Sequence, residues 1–331
     1  VTGDGAAAPR VSVVVPVRDR RALLRDLLDA LAAQTLTDHE VIVVDDGSTD
    51  GSGEEARADA DAGRPVRLVR TPGVGAYSAR QRGVAVARAP YLAFTDSDCV
   101  PCPTWLERGV AALDAGADVV AGLTLPERPA GPLERTMASG PEGLYPTCNV
   151  FYRRAAFSAA GGFDLTAGDR FGFRRHSTAR RMGFGEDTLL AWRVRRNGGR
   201  AVHVPEALVT HRVLPGEPAD LLRRAVMMHA FPALVREVPE LADGPLVRHR
   251  VVLTGGRRLP LHAALAAAAL RRWRVAGLAL GWWAAATWRD LRPRPGRRRE
   301  KLAAMPALLA LEAAAAVALA TGSLRFRRVL L

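Results

Sequence analysis

The sequence predicts an α/β protein: a mostly parallel mixed sheet with flanking helices, followed by a helical, membrane-associated C-terminal tail. Three observations lead there. Short β-branched runs alternate with helical stripes through residues 11–123, the pattern of parallel strands joined by crossover helices. Several of those runs end in clusters of Asp, Ser and Gly, where ligands collect in open α/β sheets. The alternation ends at 123, and in the C-terminal tail apolar stretches separated by arginine blocks take over.

Val11 to Val17 is a β-branched run and reads as the first strand, with Pro16 expected to end it because proline donates nothing to a ladder. Arg20 to Ala33 carries Leu at 23, 24, 27, 28 and 31, a helical stripe. Glu40 to Asp45 reads as a second buried strand running into the polar turn Asp46 to Gly51. A short polar helix and a third strand, Val66 to Val69, come next. Gly73-Val74-Gly75 opens a helix to about Ala87, too short a glycine pattern for a dinucleotide fingerprint.

Tyr91 to Thr95 is the next buried strand, and Asp96-Ser97-Asp98 closes it. If the extended conformation continues, both carboxylates face one side and repel unless a cation sits between them; Mg²⁺ and Mn²⁺ prefer such oxygen ligands. An acidic loop capping the helix that starts near Thr104 is the competing reading. Helix from Thr104 to Ala115 and strand from Asp118 to Leu123 complete the alternation. Residues 126–146 are rich in Pro and Gly and read as loop. A strand is expected over Thr147 to Tyr152, then a basic loop from Arg170 to Arg181 that includes Arg174, Arg175, His176 and Arg180. Its lack of apolar period suggests mobility. A helix opens at Glu186-Asp187, short strands are expected at Ala201 to Val204 and Leu208 to His211, and a helix at Ala219 to Val238.

Charge divides the chain. Residues 1–250 hold 32 Arg against 31 Asp and Glu, a net charge of +1. Residues 251–331 hold 14 Arg and Lys301 against Asp290, Glu300 and Glu312, a net charge of +12. The tail also gathers Trp273, Trp282, Trp283 and Trp288, as membrane interfaces do. The apolar stretches at 259–270 and 275–288 fall short of the ~20 residues a spanning helix needs. Leu302 to Ala320 reaches that length but contains Pro306 and Glu312. We expect helices lying in an anionic bilayer surface through residues 251–331; the Ala, Leu and Trp content fits lipid better than nucleic acid. The competing reading is a soluble helical appendage. Cys99, Cys102 and Cys148 make no disulfide framework, and residues 1–10 lack the apolar core of a signal peptide, so the expected location is cytoplasmic, at the inner membrane face.

The ordered set Val13 to Arg18, Val43 to Asp50, Gly75 to Gly83, Thr95 to Asp98, Gly161 to Asp164 and Gly185 to Asp187 resembles the family 2 glycosyltransferases of the GT-A fold. The resemblance covers residues 10–212; Gln81 stands where the family often has Asn. It implies a nucleotide-sugar donor (a UDP- or GDP-sugar), Mn²⁺ or Mg²⁺, and a hydroxyl-bearing acceptor: glycan, lipid or small molecule. By resemblance Asp98 would ligate the metal, and Asp96, with Ser97, would contact the ribose or the metal shell. Asp46 would bond the base, Pro16, Val17, Arg18 and Ser48 would line that pocket, and Arg80 would sit near the donor. Asp187, beside Glu186, would be the base of an inverting transfer, and His211 would be a further metal ligand. The implied organisation is a tail at 1–9, a catalytic domain at 10–215 (donor half 10–123, acceptor half 124–215) and the helical region 216–331. Two alternatives remain. One is a non-catalytic membrane-associated binding protein with this fold. The other is a nucleotidyltransferase, for which no basic glycine loop follows the first strand.

Overall fold

The computed structural model describes residues 8–173, 177–244, 247–248, 251–252 and 258–330. The first compact unit comprises residues up to 125, 137–168 and 174–212. It contains β1 (Val11–Val17), α1 (Arg21–Ala32), β2 (His39–Asp45), α2 (Ser52–Asp61), β3 (Val66–Arg70), α3 (Ala76–Val86), β4 (Tyr91–Thr95), β5 (Cys99–Pro101), α4 (Trp105–Asp114) and β6 (Val119–Pro126). A two-residue strand, β7 (Glu134–Arg135), interrupts the chain in the Pro- and Gly-rich region expected to be loop. Then come β8 (Asn149–Arg153), α5 (Arg154–Ala159), α6 (Ala167–Arg170), α7 (Thr178–Met182), α8 (Glu186–Arg196) and β9 (Ala201–His211).

The strands form one eight-stranded sheet in the order β3-β2-β1-β4-β8-β6-β9-β5. β3, β2, β1 and β4 run parallel, whereas β8 lies antiparallel to both β4 and β6, so the sheet is mixed. Every residue of β2 is buried and so is nearly all of β1, as expected of strands covered on both faces. The leucine stripe of α1 (Leu24, Leu27, Leu28, Leu31) packs on one face with Trp105 and Phe151; Phe94, Tyr152, Phe157 and Phe163 fill the other.

Four sequence expectations change. Pro16 does not end β1: it pairs in register with Val44, and the strand runs on to Val17. β4 pairs with β1 only as far as Val14, so the missing N–H of Pro16 falls where that flank of the ladder has ended. The two short strands expected after residue 200 are one, β9, with Pro205 at an exposed position within it. The helix expected at 219–238 is α9 (Pro218–Met227) and α10 (Phe231–Glu237), separated by a 3-10 turn at Met228–Ala230. Two short helices, α6 and α7, occupy the ends of the stretch expected to be a mobile basic loop; its Arg174, Arg175 and His176, and the side chain of Arg180, lie outside the described residues.

The second unit comprises residues 126–136, 169–173 and 213–331. β7 pairs antiparallel with β10 (Leu214–Pro215), and β11 (Val247–Arg248) pairs with β12 (Val251–Val252). Besides α9 and α10 it contains α11 (Arg258–Ala269), α12 (Trp273–Leu291) and α13 (Arg298–Phe326). Glu312, in the apolar middle of α13, accepts a hydrogen bond of 2.6 Å from the Trp283 indole N–H of α12. By length and composition α13 could cross a membrane, with one third of its most apolar window buried within the fold.

Candidate functional site

Three parallel strands, β1, β2 and β4, deliver their carboxyl ends to one edge of the sheet, and each is followed by a polar segment. After β2, Asp46 is buried and both its oxygens are engaged. Oδ1 accepts from the Thr71 hydroxyl (2.6 Å) and the Val74 N–H (2.7 Å), and Oδ2 accepts from the Gly75 N–H (2.8 Å). This carboxylate therefore fixes the turn that launches α3. Gly73, at φ +80°, holds its backbone against the Arg18 guanidinium, which a Cβ there would meet at 2.9 Å. The Ser48 hydroxyl accepts from the Asp19 N–H (3.0 Å), and the Ser48 N–H donates to Asp45 (2.9 Å). Asp19 in turn accepts from the Thr49 N–H (2.7 Å), so the loops after β1 and β2 are knitted together. Val17 joins the same edge, its carbonyl accepting from the Asp46 N–H at 2.8 Å.

Asp96-Ser97-Asp98 is not extended. The Cys99 N–H donates back to the Asp96 carbonyl (3.0 Å), which closes a turn and sends the two carboxylates to different partners. Asp96 pairs with Arg80, whose guanidinium is buried and lies over the Tyr77 ring of α3. Asp98 pairs with Arg20 on one oxygen and faces His211 with the other; Ser97 is buried between them in sequence. The expectation that extended backbone sets both carboxylates on one side is thus corrected by the turn.

His211 reaches Asp98 because β5 and β9 pair antiparallel with Cys99 opposite His211, and the Arg212 N–H donates to the Asp98 carbonyl (2.9 Å). The His211 Nδ1 stands 2.8 Å from the Arg212 carbonyl. A carbonyl only accepts, so Nδ1 carries a proton there, and Nε2 stands 3.6 Å from Asp98 Oδ1. A ring fixed by its second nitrogen on a backbone carbonyl is how metal-binding histidines are oriented. Among the described residues, Asp98, Cys99 and His211 form the group whose ligand atoms lie within 4.8 Å of one another. Carboxylate oxygen and imidazole nitrogen suit Mn²⁺ or Mg²⁺; the Cys99 thiol suits them less, since its hydrogen bond with Cys148 and its burial raise its pKa well above the usual value. The oxygen and nitrogen donors of Asp98 and His211 fit a divalent cation; Asp96 lies outside this group among the described residues.

Gly185, at φ +81°, turns the chain into α8. Glu186 is buried and accepts from the Phe184 N–H (2.5 Å), so it secures the turn before its own helix. Asp187 accepts from its neighbour Thr188 N–H (2.8 Å), from Thr147 N–H (3.3 Å) and from the Tyr77 hydroxyl. Loss of water around Asp187 raises its pKa above the ordinary carboxylate value, against these hydrogen bonds and the nearby Arg80 charge, which lower it. Arg80 feels both Asp96 and Asp187. Desolvation outweighs the opposing causes, so the carboxylate is more basic than one in water. Close backbone approach frames this side: a Cβ on Gly75 would meet the Arg181 carbonyl at 2.8 Å, and one on Gly183 the Tyr77 ring at 2.2 Å. Gln81 accepts from the Phe163 N–H (3.2 Å) and so ties α3 to the Gly161-Gly162 turn.

Two residues of this site escaped sequence reading. Tyr77 stands three residues before Arg80 on one helical face, and that spacing is a usable signal. Arg20 lies two residues past the Val13 to Arg18 run, and nothing local ties it to Asp98.

Comparison with known proteins supplies the context. The family described as Glycosyl transferase family 2 matches residues 12–181, just over half of the chain. The glycosyltransferase AglE of Haloferax volcanii is 39% identical over 118 residues, which is 34% of this chain and 39% of that protein. The pre-mycofactocin glycosyltransferase of Mycobacterium tuberculosis is 30% identical over 224 residues, 61% of this chain and 42% of that protein. The chain thus spans about two fifths of the length of these relatives. Among solved structures, the mannosyltransferase PcManGT of Pyrobaculum calidifontis, in complex with GDP-Man and Mn²⁺, aligns over 99% of this chain and 89% of its own with TM-score 0.56 and 20% identity, a likeness of fold.

Proposed function

Because the chain belongs to glycosyl transferase family 2, we propose that it moves a sugar from a nucleoside diphosphate sugar to an acceptor hydroxyl with inversion, using residues 10–215 as the catalytic domain. The acceptor oxygen attacks the anomeric carbon from the face opposite the leaving group. As that C–O bond forms, the bond from the anomeric carbon to the diphosphate breaks, and the nucleoside diphosphate departs with the electron pair. The acceptor's proton passes to an oxygen of Asp187. A base is most useful when its pKa approaches the working pH, and the desolvated setting of Asp187 moves it that way. The Thr188 and Thr147 N–H groups orient the carboxylate. The Arg80 charge opposes the desolvation that raises its pKa, while Arg80 also pairs with Asp96.

Pro16, Val17, Arg18, Asp46 and Ser48 line the nucleoside side in this reading, and Asp96 and Ser97 lie toward the ribose. Asp98 and His211 would hold Mn²⁺ or Mg²⁺. Such an ion, when bound, neutralises charge developing on the diphosphate. The observation that carries the reading is Arg80, a buried cation shared between the Asp96 and Asp187 carboxylates at a strand-end edge.

The helical region from 216 onward is proposed as a peripheral attachment to an anionic membrane, at its cytoplasmic face. Supporting this, Leu270, Trp273, Leu278 and Trp282 are 71%, 68%, 77% and 62% exposed, and Arg271, Arg272 and Arg274 are exposed among them. The test of function is transfer or donor hydrolysis with UDP- and GDP-sugars and Mn²⁺. Turnover abolished by Asp187→Asn with nucleotide binding intact supports the proposal. Nucleotide binding with no turnover by the wild type makes the protein a binder and sinks it.

A further inference from the structure

Among the described residues a guanidinium stands next to Asp98, and its placement has a consequence for ion binding. Arg20 pairs with one oxygen of Asp98, while His211 Nε2 faces the other at 3.6 Å. Asp98 is buried, and Arg20 keeps 27% of its side chain open to solvent. The backbone of Arg20 is fixed: its N–H donates to the Ser52 hydroxyl (3.1 Å), and Asp19 before it, at φ +51°, is held by Ser48 and Thr49. The long side chain is the part that can swing. Arg21, next in sequence, is committed elsewhere, to Glu55 (2.8 Å).

We propose that Arg20 is a resident counter-ion for Asp98: a divalent cation must displace it, and the displaced guanidinium then binds the diphosphate of the donor. This rests on the metal-dependent reading above. A buried carboxylate is costly without a positive neighbour, and Arg20 supplies one while no ion is bound. A divalent ion on the same carboxylate repels the guanidinium, so the two compete. A diphosphate then offers the freed fork a bidentate anionic partner, the geometry arginine favours. Ion and nucleotide binding thereby become coupled through one side chain, and such coupling is reciprocal.

The experiment measures Mn²⁺ binding alone by electron paramagnetic resonance, then UDP and GDP binding with saturating Mn²⁺, in wild type, Arg20→Ala and Arg20→Gln, with Arg21→Ala as the control for net charge. Expected for both Arg20 variants are Mn²⁺ binding tighter by about fivefold or more and nucleotide binding weaker by about tenfold, with Arg21→Ala unchanged in both. Mn²⁺ affinity unchanged or weakened in the Arg20 variants overturns the counter-ion role. Tighter Mn²⁺ with unchanged nucleotide affinity overturns the hand-over to the diphosphate. No Mn²⁺ binding by wild type overturns the metal site and this inference with it; wild-type binding that the Arg20 variants leave unaltered overturns this inference alone. Arg20→Gln keeps the side-chain length, so a folding defect confined to Arg20→Ala leaves the test intact.

Discussion

The sheet-bearing unit and the helical tail treat charge and apolar surface in opposite ways. In the sheet unit, cations sit against carboxylates at short range: Arg80 with Asp96, Arg20 with Asp98, Arg25 with Glu55 and Asp59. Its large aromatic side chains Trp105, Phe94 and Phe151 are fully buried. In the tail, Leu270, Trp273, Leu278 and Trp282 face outward beside Arg271, Arg272 and Arg274. A unit that neutralises its charges internally can place a few of them for chemistry. A surface that leaves both arginine and tryptophan exposed matches an anionic, partly apolar phase. Composition averaged over the chain hides this contrast, since the net +13 belongs almost wholly to the tail.

The sharpest test of the sheet side is Asp187→Asn. Transfer should fall by about 10²–10⁴-fold, the usual worth of a positioned base, while stability holds or rises. Burial raises the folded pKa of Asp187 above its unfolded value, so the unfolded chain gives up this proton first as pH rises. The group therefore costs stability as pH climbs through the window between the two values, and that cost persists above it. Asn, which never ionises, removes the cost. The pH–rate profile should show the same shift: the acid limb of wild type lies above the ordinary carboxylate range. A limb at the ordinary value, or activity retained by Asp187→Asn, breaks the base assignment.

Next in size is Asp98→Ala. If Asp98 holds the proposed ion, its removal should lower transfer by about 10²-fold or more, with Mn²⁺ binding lost in a direct titration. Activity retained without measurable Mn²⁺ affinity would put the cation outside the reaction. On the tail side, the pair Trp273→Ala and Trp282→Ala should weaken binding to vesicles rich in anionic lipid by about tenfold or more, at the ~1.5–3 kcal/mol that burying a large side chain is worth. Sedimentation with vesicles reads this. Nucleotide affinity should stay as in wild type, and equal loss of both would erase the contrast between the two regions.

The strands and their order along the chain were legible because β-branched runs such as Val11 to Val17 and Val41 to Val44 have one good environment, the inside of a covered sheet. The strand ends with their carboxylates were legible for the same reason. Events that depend on distant partners were not. Whether Pro16 ends a strand depends on how far β4 extends beside it. The turn at Asp96 to Asp98, and the choice of Arg80 and Arg20 as partners, are set by α3 and by the loop after β1. Nor does the motif around Asp46 reveal that its carboxylate also accepts from the Thr71 hydroxyl and the Val74 and Gly75 N–H groups.

Asp46 gives the smallest effect and the finest discrimination. Three donors, the Thr71 hydroxyl and the Val74 and Gly75 N–H groups, converge on its carboxylate. Asp46→Asn keeps one acceptor oxygen and sets an NH₂ against groups that only donate or are already satisfied. Stability should fall by about 1–2 kcal/mol, read as a lower urea midpoint with an unchanged slope. Arg272→Ala in the tail, an exposed cation outside any such network, should move that midpoint by no more than about 0.5 kcal/mol. Nucleotide affinity of Asp46→Asn separates two roles for one side chain. If the carboxylate acts by holding the turn, UDP and GDP binding weakens only modestly and alike, because the pocket is loosened and no base contact is lost. If it bonds the base directly, the two nucleotides change by different factors, since uracil and guanine present different edges. A stability loss as small as that of Arg272→Ala would refute the turn-holding role and dissolve the contrast on which the two regions were distinguished.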